Sequence, residues 1–78
     1  MPTKTLHVVK AFDRAAKGRL VEVSAREYKT PDEAIRKADV LSDKHAGTLA
    51  FSIDIDTEFD DAGEPRLLAK HGDVPDVE

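Results

Sequence analysis

Four sets of side chains in this 78-residue sequence have types that could do chemistry. The first is the acidic run Asp54, Asp56, Glu58, Asp60, Asp61 and Glu64. Clustered carboxylates suit calcium or magnesium, hard cations that take six or more oxygen ligands. Asp54-Ile55-Asp56-Thr57-Glu58 opens like a calcium loop, but no glycine falls at its sixth position and Pro65 falls at its twelfth. The run is therefore expected to be a solvated strand face leading into an acidic turn. The second set is His7, His45 and His71, no two of which have the spacing of metal ligands on one helix. His45 is expected near a helix C-terminus, where its ring can bond a terminal carbonyl. The third is Ser24, Ser42 and Ser52, none with a local base and none in a Gly-x-Ser-x-Gly elbow. There is no cysteine, and the four glycines lie too far apart to cradle a phosphate. The fourth is basic: Lys10, Arg14, Lys17, Arg19, Arg26 and Lys29 lie in and around the first hairpin. A basic sheet can bind nucleic acid, but four aromatics, net acidity and the lack of an RNP or KH signature disfavour it here. These residues imply no catalytic group, no metal and no cofactor.

The elements that would position them can be read from periodicity. Thr5 to Phe12 has the composition of a strand, apolar on both faces and so central in its sheet. Asp13 to Gly18 is a hairpin loop, with Gly18 suited to positive φ. Arg19 to Arg26 alternates Val21, Val23 and Ala25 with polar residues, as an edge strand does. Thr30-Pro31-Asp32-Glu33 is a capping box with proline at the first helical position. The helix should run from Pro31 to about His45 or Ala46, with Gly47 as its left-handed stop. Its apolar stripe is Ala34, Ile35, Ala38 and Leu41. Thr48 to Asp56 alternates, with Leu49, Phe51, Ile53 and Ile55 on one side. Asp60 to Pro65 is a turn and Arg66 to His71 a last short strand. Residues 73–78 are expected to fray, leaving an ordered core of about 4–72.

The fold class is thus α+β, one domain of ββαββ order: a four-stranded antiparallel sheet with one helix on one face. Sheet order 2-1-3-4 is favoured over 1-2-4-3 because it puts the two most apolar strands in the middle. The expected core is Val8, Phe12, Val21, Val23, Ala34, Ile35, Ala38, Leu41, Leu49, Phe51, Ile53 and Leu67. Such a core, in a chain that buries only about 60% of its unfolded surface, leaves a thin margin of stability. One helix covers one sheet face, so the other should carry His7, Val9, Ala11, Ala50 and Ser52. Small and mildly apolar, that face is the expected interaction surface.

The opening Met1 to Lys10, the string Lys44 to Ser52, Gly63-Glu64-Pro65 and Gly72 to Pro75 resemble a group of small bacterial proteins of similar length and ββαββ pattern. That group has no assigned activity, so the resemblance implies a fold pattern and no residue roles.

Net charge is −4, split between a basic stretch 1–46 and an acidic stretch 47–78. Such polarity can steer association between copies or neutralise itself within one fold. No apolar segment is long enough to span a membrane or lead secretion, which points to the cytoplasm. The expected function is that of a non-enzymatic binding or structural module. It would self-associate as a homodimer through the uncovered sheet face or an edge strand, or hold another protein partner.

Overall fold

β1 runs Thr3–Arg14, β2 Leu20–Tyr28, α1 Pro31–Ser42, β3 Gly47–Asp56, β4 Asp61–Ala62 and β5 Arg66–Gly72 in a computed structural model. The structure describes residues 3–59 and 61–74. Asp60 of the acidic run and residues 75–78 of the expected tail lie outside that range. All strand pairs are antiparallel: β2 with β1, β1 with β3, and β3 with both β4 and β5. The expected order therefore holds, and the sheet curls as a half-barrel. Its last strand comes in two pieces on one side of β3, because Gly63-Glu64-Pro65 interrupts it and proline cannot donate to a ladder.

The hairpin between β1 and β2 is closed by a 3-10 turn at Ala16–Gly18, where Lys17 and Gly18 both take positive φ. Thr30 caps α1 as expected, its hydroxyl accepting from the Glu33 amide at 3.1 Å. The Glu33 carboxylate reaches back to the Lys29 amide, one residue before the cap. The helix stops at Ser42, three or four residues short of expectation. The cause lies across the fold, in Asp13: its carboxylate takes the Ala46 amide at 3.1 Å and the His45 ring at 3.0 Å. An amide held there cannot continue the helical ladder, so the chain unwinds into the turn 43–46.

Gly47 is not the left-handed stop. It opens β3, and a Cβ at this position would lie 1.9 Å from the Asp73 carbonyl oxygen. Gly72, with φ +66, is the left-handed residue, and a Cβ there would clash with the Ala46 carbonyl oxygen. The two glycines let the turn after α1 and the end of β5 touch backbone to backbone, closed by the Asp73 amide donating to Ala46 at 3.0 Å. Asp73 also pairs with Arg14 at 2.7 Å.

The largest departure is the side of the sheet that α1 covers. Ala34 and Ala38 pack on Val9 and Ala50, with Tyr28, Leu41, Leu68 and Ala69 around them. The Thr48 hydroxyl donates to the Ala38 carbonyl at 2.7 Å. The covered positions are the small ones, and Leu6, Val8, Phe51, Ile53 and Ile55 lie on the other side. Of the expected core, Phe12, Ala34, Ala38 and Leu49 are buried, whereas Val23, Ile35 and Leu67 are exposed. Two constraints account for this. β2 and β3 run the same way with β1 between them, and a helix joining such strands crosses with one hand in nearly every fold, whichever face is greasier. A helix that presents alanines also sits close to its sheet and accepts only small residues beneath it.

Gly47→Ala is expected to lower stability by several kcal/mol, on the order of the larger single-residue effects. Gly63→Ala, whose added methyl would meet its nearest neighbour at an ordinary 3.5 Å, should stay within about 1 kcal/mol of the parent. Paired denaturant titrations read both. Equal effects would remove the backbone clasp.

Candidate functional site

The five residues expected on an open face are the ones the helix side holds. Val9, Ala11 and Ala50 are at most 1% exposed and Ser52 is 3% exposed. His7 is half-buried on the same face, its Nδ1 2.7 Å from the Ser52 hydroxyl. A serine beside an imidazole is the pairing that activates a nucleophile, but a hydroxyl this buried serves as an internal bond. Val9, Ala11, Ala50 and Ser52 belong to the interior, and His7 lies half-buried at its edge.

The open face lies on the reverse. Directly paired residues share a side of a sheet, so the register gives its rows. One row is Glu27, Val8, Phe51 and Leu67; the next is Ala25, Lys10, Leu49 and Lys70. Leu6 pairs with Ile53, and Lys4 with Ile55. Six apolar residues, Leu6, Val8, Phe51, Ile53, Ile55 and Leu67, thus form a continuous patch with charges at its borders. Leu67 is 62% exposed. Lys10 marks one border, with its ammonium 5.8 Å from the Phe51 ring centre and 3.1 Å from Glu22. Sequence reasoning assigned Val8, Phe51, Ile53 and Leu67 to the helix-covered core. The signal that could have placed them correctly is the alanine content of the helix stripe, which calls for a small-residue floor.

The candidate chemical groups do not converge. His7 and His71 share the helix side, but their partners on β3 are four residues apart, about 13 Å along the strand. His45 is engaged by Asp13 and not, as expected, by a terminal carbonyl. Asp54 is held by a two-pronged contact from Arg66 and by the Thr5 hydroxyl at 2.6 Å. Asp56 accepts the amides of Glu58 and Phe59, shaping the turn. No cluster among the described residues could hold a metal ion. The basic residues of the first hairpin also divide: Lys10 lies on the open face, Arg26 pairs with Val9 on the helix side, and Arg14 binds Asp73 and the Gly18 carbonyl. A furrow of about 320 Å³ runs along α1 past Glu33, Arg36, Lys37 and Val40. All four of these residues are on one helix, so nothing opposes them to enclose a substrate.

Two carboxylates are held below their ordinary range. Hydrogen bonds from His45 and the Ala46 amide favour ionised Asp13; those from Arg66 and Thr5 do the same for Asp54. Above the ordinary carboxylate pKa of 3.8 both groups are ionised in either state, and their stabilising contribution is complete. Below it the unfolded chain takes up the protons first, and the contribution is lost as pH falls through the lowered folded values. Asp13→Asn and Asp54→Asn should each flatten the fall in melting temperature between pH 5 and pH 2. An unchanged acid slope in both variants would contradict the assignment.

Compared with protein-family models, characterised proteins and solved structures, the chain matches none. No helix among the described residues is long and apolar enough to cross a membrane.

Proposed function

We propose that this protein is a non-enzymatic binding module that acts in the cytoplasm and self-associates through the helix-free face of its sheet. The observation that carries the reading is the sidedness of the sheet. Small residues lie beneath the helix, and the bulkier patch of Leu6, Val8, Phe51, Ile53, Ile55 and Leu67 has no helix over it. Contiguous apolar surface rimmed by charge is characteristic of an interaction site.

Edge-to-edge pairing is the weaker route to the same end. β2 carries a bulge opposite Ala11 and Phe12, and β5 carries one opposite Ala50 and Phe51. Bulges and interruptions on outer strands hinder pairing with another chain. Both edges have such a feature, and the face has none. Nucleic-acid binding draws little support, since the basic residues are spread over two sides of the sheet and two of them, Lys10 and Arg14, are already paired.

Sedimentation equilibrium across a hundredfold range of concentration tests the reading. The apparent mass should rise from that of one chain toward two. Leu67→Glu, at an exposed position, should hold the chain monomeric with its melting temperature at low concentration unchanged. A parent chain that stays monomeric up to about 1 mM, where only associations weaker than about −4 kcal/mol escape notice, would overturn it.

A further inference from the structure

We propose that the second copy docks face to face about a two-fold axis parallel to the strands, so that Lys70 of each chain meets the glutamates of its partner's β2. This geometry rests on the self-association reading above and specifies how the copies are arranged.

The chain exposes 5542 Å², whereas a compact folded chain of its mass exposes about 4,700 Å². The excess, roughly 800 Å² spread over the whole chain, is of the size that one partner contributes to a standard protein interface. The shape agrees. The radius of gyration is 13.2 Å against about 11.5 Å for a compact chain of this length. The thinnest dimension is 16 Å, that of one sheet and one helix. A second sheet would supply the missing layer, since two sheets pack about 10 Å apart with strands within about 30° of each other.

The border charges choose the axis. On the open face Glu22 and Glu27 lie on β2, along one flank, and Lys70 lies on β5, along the other. An axis parallel to the strands lays each flank over the opposite one. Lys70 then faces Ala25 of the partner subunit, with Glu22 of the partner subunit one row to one side and Glu27 of the partner subunit one row to the other. The same operation sets Leu6 and Val8 of β1 over the aliphatic and aromatic residues of β3. An axis across the strands would instead lay β2 on β2 and set glutamates against glutamates, which is repulsive. Lys10 is already paired with Glu22, leaving Glu27 as the principal partner for Lys70.

The test is a charge exchange. Lys70 and Glu27 are exposed and neither takes part in an ion pair among the described residues, so their replacement leaves the monomer fold intact. Lys70→Glu and Glu27→Lys should each weaken the dimer about tenfold at low salt, and the double variant should return to within about threefold of the parent. Raising the salt should shrink the effect of both single changes. A dimer that ignores the single changes, or that the double variant fails to restore, overturns the axis and leaves self-association standing. A chain that is monomeric throughout overturns both.

Discussion

The architecture depends on how closely α1 lies to the sheet. Ala34 and Ala38 are fully buried, and Thr48 bonds the Ala38 carbonyl at 2.7 Å, which requires helix backbone and strand side chain to be in direct reach. The floor beneath such a helix is made of the small residues Val9, Ala11, Ala50 and Ser52, with the larger Tyr28 and Leu68 packed around it. A buried polar pair of this kind also punishes loss of either partner, because the remaining group is left without water or a bond. The bulky side chains of β3 are therefore placed on the reverse of the sheet by the alternation of the strand.

At one end of the sheet a second set of contacts fixes where the helix stops and where the last strand ends. Asp13 takes the His45 ring and the Ala46 amide, while Arg14, the next residue, takes Asp73. Gly47 and Gly72 allow the two backbones between them to touch. The hairpin, the helix end and β5 are thus tied by two consecutive residues of β1. The three groups most suggestive of chemistry at that end, an aspartate, a histidine and an arginine, act as fasteners.

Much of this was legible in the sequence where the signal was local. The capping box at Thr30, the strand alternation of 48–56 and the antiparallel order were legible, whereas the turn expected over 60–65 lies at 57–59 and Asp61–Ala62 form β4. What else escaped was set by contacts between distant residues. The helix end depends on Asp13, some thirty residues away, and no pattern near Ala46 encodes it. The conformations assigned to Gly47 and Gly72 depend on each other's backbone. The choice of face depends on the hand of the crossover. Greasiness alone favoured the Phe51 side and so placed the helix on the wrong face, although Phe12 and Leu49 on that side are buried. His7, Val9, Ala11, Ala50 and Ser52 were read as an open surface for the same reason that Val8 and Ile53 were read as core.

Nuclear Overhauser contacts from the Ala38 methyl group test that placement most directly, because they report which side of the sheet lies within about 5 Å of the helix, close to the spacing of packed side chains. Cross-peaks to the methyls of Val9 and Ala50, with none to the Phe51 ring, are the result this structure requires. Cross-peaks from Ala38 to Phe51 or Ile53 would put the helix on the opposite side, and the open apolar face would no longer exist.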